Sequence, residues 1–255
     1  MNTSNPSTNA NVTADKAIEI LLLFTPAKPV WTQQEISIQL NMSRSTTYRY
    51  ISSLRSTGLV VQDERGSFCL GPRLLHMAQA ARIANPIVGI SGEPMRVLST
   101  QFREVVILNE LAEREILELT RIDSPQDIII RSTRTQMLPW PATGSSKVLL
   151  AYSDDAIFED ILSSLTPTQF TQHTIATLEN LRMHLDLVRR QGYAISDEER
   201  DEGIWGVAVP ILQGQRCSHS LSVVGPKFRF SKAQRDAMIA ATIEAGCSIS
   251  AKMGS

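Results

Sequence analysis

The chain has 255 residues, with 42% hydrophobic and 20% charged types, which is ordinary globular material. That length suits one large domain or two smaller ones, and the composition excludes disordered, collagenous and low-complexity classes. Twenty-five Lys and Arg against 26 Asp and Glu leave a formal net charge of -1. Such a balance excludes a wholly basic nucleic-acid protein, but not a DNA-binding domain joined to an acidic one.

The three cysteines, Cys69, Cys217 and Cys247, are an odd number, lie far apart and form no CxxC. Neither a disulfide framework nor a zinc site is expected, and no metal or cofactor motif stands out. Residues 1–15 are rich in Asn, Ser and Thr, carry no Lys or Arg and lack the pattern of a secretory signal. The densest apolar run, 20–24, is far short of the roughly 20 residues that a membrane-spanning helix needs. A cytoplasmic protein without a membrane partner is expected.

Residues 1–13 read as a disordered tail. Thr13 or Asp15 caps a first helix whose apolar residues Ala17, Ile18, Leu21, Leu22 and Phe24 recur at helical spacing. Pro26 and Pro29 end it. Thr32, with Glu35 three residues later, makes a capping-box pattern for a short second helix. Asn41-Met42 is the break, Ser43 caps a third helix, and Gly58 stops it. Residues 59–62 and 67–70 read as a β-hairpin, so that 14–72 holds helix, helix, turn, helix and hairpin. Residues 73–85 form a connecting helix with Leu74, Leu75, Met77 and Ala78 on its apolar side.

From 86 to 255 the character changes. A helix is expected over 92–103, then strand-like runs at 105–108, 116–120 and 128–130. A loop over 133–143 carries Trp140 between two prolines, and a helix follows over 147–151. Helices over 154–165 and 178–191 precede a strand pair, 204–212 and 217–224, and a terminal helix over 231–252. This order implies an α+β fold with a mainly antiparallel sheet.

The second and third helices match a helix-turn-helix, whose second helix enters the major groove. After the Ser43 cap come Arg44, Ser45, Thr46, Thr47, Tyr48 and Arg49, with no carboxylate among them. Guanidinium groups can contact guanine bidentately, while hydroxyls and the phenol hold phosphates. Thr32 and Gln33, opening the preceding helix, join the candidate contacts. Arg65 at the hairpin tip is placed where a wing meets the DNA backbone. Tyr48 shares a helical spacing with Ile51 and Leu54, so core packing remains open for it.

These elements resemble the IclR family of bacterial transcriptional regulators along nearly the whole chain. The likeness is carried by 15–22, Ser45-Thr46-Thr47-Tyr48-Arg49, Gly58-Leu59-Val60 and Phe68-Cys69-Leu70-Gly71-Pro72. It continues through 142–151, Gly192-Tyr193-Ala194 with Glu198-Glu199 and Gly203, Ala208-Val209-Pro210-Ile211, and 222–226. The resemblance implies an N-terminal winged helix-turn-helix, a linker helix and a GAF-like effector-binding, oligomerising domain over 86–255. It further implies a homodimer or tetramer on palindromic operator half-sites, acting as repressor or activator.

An effector domain needs a largely apolar pocket with a few directed donors. Gly144, Ser145 and Ser146 precede the expected helix, whose amides suit a carboxylate. For Ser146 a plain capping role is an equal reading, and Trp140 either lines the pocket or packs. By resemblance, the segment from Ser196 and Asp197 through Ile204 to Gly206, with Ser222 and Val224, faces the same cavity. Relatives that bind small hydroxy- or keto-acids tend to carry polar or thiol groups where this chain has Gly206 and Val224. They also tend to have Gly at 146 and Leu-His at 140–141. A small organic acid is therefore expected, with an aromatic or otherwise hydrophobic one favoured.

The alternative is an enzyme using Ser or Cys-His chemistry. Ser145 and Ser146 lack a G-x-S-x-G frame, and no catalytic signature surrounds His173 or His184. Cys217 and His219, two apart on one strand face, are the pair to weigh. Adjacent Glu198 and Glu199 make a poor acid/base pair.

Overall fold

The structure, a computed structural model, describes residues 12–25, 27–112, 115–126, 136–137, 141–214 and 216–254. It divides into two compact units, Met1–Ala81 and Arg82–Ser255.

The first unit contains helices α1 (Val12–Leu22), α2 (Gln33–Gln39) and α3 (Arg44–Ser56). Strands β1 (Val30–Trp31), β2 (Val60–Gln62) and β3 (Phe68–Leu70) form an antiparallel sheet with β3 in the middle. Ile20, Phe24, Trp31, Ile36, Ile51, Leu54, Val60 and Phe68 make one core. The hairpin is thus a three-stranded wing. The added strand follows Pro29, where sequence reading saw only the end of a helix, and its Trp31 indole donates to the Leu23 carbonyl at 2.9 Å. The tail and Pro26 lie outside the described residues.

Close chain contact explains one glycine of the hairpin base. A Cβ on Gly71 would fall 2.1 Å from the Gly58 carbonyl oxygen. The Gly71 amide instead donates to the Leu59 carbonyl at 2.7 Å, closing the wing against the end of α3.

Helix α4 (Arg73–Ala84) has no buried residue, and Leu75 and Ile83 are 74% and 79% exposed. Its expected apolar side is present but uncovered.

The second unit is built on a six-stranded sheet in the order β6-β5-β4-β9-β8-β7, with every neighbouring pair antiparallel. The strands are β4 (Val105–Ala112), β5 (Glu115–Ile122), β6 (Gln136–Met137), β7 (Ala194–Asp197), β8 (Ile204–Gln213) and β9 (Arg216–Pro226). Helices α5 (Pro86–Phe102) and α9 (Lys232–Met253) cover one face. There Leu108, Trp205, Val207, Val209, Leu221 and Val223 point toward Met95, Leu98, Met238 and Ile249. Helices α6 (Gly144–Ala151), α7 (Asp155–Ser164) and α8 (Leu178–Gln191) share a second core that reaches Ala194 and Ala208 on the opposite face.

Three local readings change. Helix α5 begins at Pro86 rather than near 92, because the Asn85 side chain caps it by accepting from the Ile87 amide at 3.3 Å. Helix α6 begins at Gly144 rather than near Lys147, because Thr143 is its cap. The short edge strand β7 has too few residues for a periodic signal. The expected strand 128–130 lies outside the described residues.

Candidate functional sites

In the first unit, Ser43 sets the start of α3. Its hydroxyl accepts from the Thr46 amide at 3.1 Å and meets the Ser45 and Thr46 hydroxyls at 3.0 and 2.8 Å. Gln33 donates its side-chain amide to the Arg44 carbonyl at 2.8 Å, linking the starts of α2 and α3. Thr47, Ile51 and Leu54 turn the inner face of α3 to the core. Arg44, Ser45, Tyr48 and Arg49 remain exposed on the other face, Tyr48 at 57%. The outer first turn of α3 thus offers donors and no carboxylate. Helix geometry adds the positive end of the backbone dipole there.

One expected contact is placed otherwise, and a second, exposed one is engaged in capping. Thr47 is fully buried, and its hydroxyl donates to the Ser43 carbonyl at 3.0 Å, so it seats the helix and presents no side chain outward. The Thr32 hydroxyl is engaged with Glu35 in a complete capping box. Lys28 and Thr32 hydrogen bonds hold the Glu35 carboxyl down to about 2. Arg65 is exposed at the wing tip, where Asp63 accepts from the Arg65 and Ser67 amides at 2.9 and 2.8 Å.

In the second unit, strand register gathers a different set on the sheet face toward α6. Ser196, Gly206, Val224 and Val105 form one row across β7, β8, β9 and β4. Ala194, Ala208, Ser222 and Ile107 form the next, and Pro210, Ser220 and Asn109 a third. Helix α6 comes down on these rows at its first turn. A Cβ on Gly144 would lie 3.1 Å from that of Ala208 and 3.2 Å from the Ala194 carbonyl oxygen, so any larger residue would crowd the start of the helix against the sheet.

The polar atoms here are buried and directed. Asn109 donates its side-chain amide to the Ser145 hydroxyl at 3.0 Å. Ser222 reaches the Ile107 carbonyl only at 3.4 Å. The Ser220 hydroxyl is fully buried and finds no hydrogen-bond partner among the described residues. A buried hydroxyl left unmet costs stability, so such a group asks for a ligand or water. The first amides of α6 have no partner within the helix, and the helix starts against these rows, Gly144 beside Ala208 and Ser145 at Asn109.

The structure therefore brings Gly144, Ser145, Ser196, Gly206, Ser222 and Val224 together, with Ile204 at the start of the Gly206 strand. Ser196 is tied by donating to the Ala142 carbonyl at 2.9 Å. Ser146 closes the capping box with Thr143, its hydroxyl donating to the Thr143 carbonyl at 2.9 Å. Capping is thus the role its geometry displays. Asp197 is carried to the other face, where it pairs with Lys227 at 2.9 Å and Arg235 at 3.5 Å. Trp140 lies outside the described residues.

Sequence reading missed Asn109 and Ser220. Asn109 interrupts an apolar strand at the next alternate position after Val105 and Ile107, and that polar break is the signal that was available. Ser220 sits at the same parity as Ser222 on β9.

Other chemistry finds little support. The Cys217 thiol donates to the His219 carbonyl at 3.2 Å, and burial pushes it up to about 11, away from a reactive thiolate. Glu198 pairs with Lys227, while Glu199 is buried against Lys147, so the two carboxylates serve separate contacts. Among the described residues no group of three or more His, Cys, Asp or Glu could hold a metal, and no helix is long and apolar enough to cross a membrane. A separate hollow of about 410 Å³ beside α8 is lined by residues including Thr174, Asn180, Met183, His184 and Leu187. None of the expected effector residues lines it.

Two family models match the chain: the IclR helix-turn-helix domain over residues 13–64 and the bacterial transcriptional regulator IclR C-terminal domain over 80–251. The HTH-type transcriptional regulator KdgR of Dickeya chrysanthemi is 32% identical, over 94% of this chain and 81% of its own. A solved IclR transcriptional regulator from a Silicibacter species superimposes with a TM-score of 0.84 at 26% identity, covering 95% of this chain and 96% of that one. An IclR homologue from Microbacterium hydrocarbonoxydans, solved with 4-hydroxybenzoate, gives a TM-score of 0.82 at 22% identity, covering 94% and 98%.

Proposed function

The chain belongs to the IclR family of bacterial transcriptional regulators, with a helix-turn-helix domain and a ligand-binding C-terminal domain; on that premise we propose that α3 and the wing read an operator, and that an organic acid on the serine-bearing sheet face controls the reading. The carboxylate-free first turn of α3 supports the DNA side. Arg44 and Arg49 supply base-reading or phosphate-neutralising groups, Ser43, Ser45, Thr46 and Tyr48 hold phosphates, and Arg65 touches the flanking backbone.

The unmet Ser220 hydroxyl supports the effector side most directly. An acid bound there takes hydrogen bonds from Ser220, Ser222 and Ser145, and from the Gly144 and Ser145 amides at the start of α6. Gly206, covered by the Val224 side chain, and Ile204 make the neighbouring wall apolar, which favours an aromatic or otherwise hydrophobic acid over glyoxylate or pyruvate. The Microbacterium homologue solved in complex with 4-hydroxybenzoate supports this reading.

The protein acts as a homo-oligomer on paired half-sites. The uncovered Leu75 and Ile83 of α4 give a second copy apolar surface to pack against. Ligand-dependent choice between two arrangements of the copies changes operator affinity by linkage. A thermal-shift screen of benzoate, 4-hydroxybenzoate, pyruvate and glyoxylate tests the effector class. A larger shift with the aromatic acids is expected, because a ligand stabilises the folded state it binds. Preference for the small keto-acids overturns the aromatic choice, and no shift with any of the four overturns this acid site.

A further inference from the structure

Lys147 is among the largest side chains with no exposed surface at all. It projects from α6 one turn beyond Gly144 and Ser145. Its ammonium donates to the Ile195 carbonyl at 2.5 Å and to Glu199 Oε1 at 2.5 Å. Ile195 lies on the edge strand β7, next to Ser196 in the sheet face described above. Glu199 is the second residue of the turn that returns the chain from β7 to β8. The same turn is gripped from outside, because the Thr171 hydroxyl donates to the Glu198 carbonyl at 2.6 Å and that of Thr174 to the Glu199 carbonyl at 2.7 Å.

One ammonium therefore joins a helix, a sheet edge and a turn. Stability alone is a weak reason to keep it, because taking two charges out of water is costly and an apolar pair of equal size is often as stable. Burial accordingly drives Lys147 down and Glu199 up, each toward its neutral form. An ion pair supplies what apolar packing lacks, a fixed direction. In some proteins a buried polar or ionic group fixes one arrangement of its helix where apolar packing allows several.

We propose that Lys147 and Glu199 are positioning residues that fix the first turn of α6 over the serine-bearing sheet face, and so set the geometry in which Gly144 and Ser145 meet the acid. This inference rests on the effector reading given above for the use of that turn, though not for the fixing itself.

The test compares the full-length protein with the apolar replacement K147M/E199M by amide hydrogen exchange, without ligand. A folded double variant is expected to unfold as cooperatively as the parent. Yet the amides of 144–147 and 194–199 should exchange at least tenfold faster, with those of α3 and α9 unchanged. Glu199→Gln alone, which keeps an oxygen for the ammonium, should retain the parent's slow exchange. K147L/E199L serves as a second apolar pair if the first does not fold. Parental exchange rates at 144–147 in a folded apolar variant overturn the proposal. In parallel, 4-hydroxybenzoate should bind the double variant at least tenfold more weakly than the parent. Failure of the parent to bind any of the four acids overturns the effector reading, while the exchange comparison decides the positioning role by itself.

Discussion

Asn109 on the central strand β4 donates its side-chain amide to the hydroxyl of Ser145 in the first turn of α6, at 3.0 Å and out of solvent. The bond ties the middle of the sheet to the helix that carries the candidate acid-binding amides. Asn109→Ala leaves the Ser145 hydroxyl buried and unmet, and should cost about 1–3 kcal/mol of stability. Urea unfolding measures this, and an unchanged midpoint would show that the bond is dispensable. Operator affinity without ligand should not move.

Ser220→Ala makes the opposite prediction. Its hydroxyl has no partner among the described residues, so removing it should leave stability unchanged or raise it by up to about 1 kcal/mol. Acid affinity should nevertheless fall about tenfold, equivalent to roughly 1.4 kcal/mol, by calorimetric titration. A clear loss of stability with no loss of affinity would make Ser220 a structural residue.

Arg44 stands exposed at the first position of α3, its carbonyl held by Gln33. Arg44→Ala should weaken specific operator binding by about 1–3 kcal/mol and relax preference at one base pair, if it reads a base. Thr47→Ala behaves differently. It lies in the core, so it should lower the unfolding temperature and leave the salt dependence of binding alone. Fluorescence anisotropy across a salt series separates the two outcomes.

Glu35 gives the first unit an acid limit. Its folded carboxyl lies at about 2, below the ordinary 4.5, so the stabilisation it lends is present above 4.5 and fades as pH falls toward 2. Glu35→Gln should lower the unfolding temperature at neutral pH and flatten its decline between those values. Parallel curves for the two proteins would contradict the assignment.

Much of this molecule was legible because local signals and tertiary demands agreed. Thr32 with Glu35, and Ser43 before an acid-free turn, announce two helix starts in side-chain chemistry alone. The long alternation of β8 and β9 likewise declares which residues line each face. Other features depend on partners distant in sequence. Nothing near Val30 and Trp31 reveals that they pair with Cys69 and Phe68. The start of α6 differs from the expected one because three small residues look like a loop until Thr143 caps them and they pack closely on Ala194 and Ala208. Thr47 resembles its exposed neighbours in type, yet its spacing of four and seven residues from Ile51 and Leu54 puts it on the inner face of α3, a signal already present in the sequence. Lys147 and Glu199 carry no local sign of burial, since charged residues in a sequence read by default as solvated.

The central claim is that the outer face of α3 recognises duplex DNA. Its most direct test is selection of genomic fragments by the full-length protein and by an R44A/R49A variant in parallel, followed by salt titration of whatever is retained. The parent should recover fragments sharing an inverted repeat, with affinity falling steeply as salt rises, and the variant should recover none of them. Equal recovery of the same fragments by both proteins would contradict the claim.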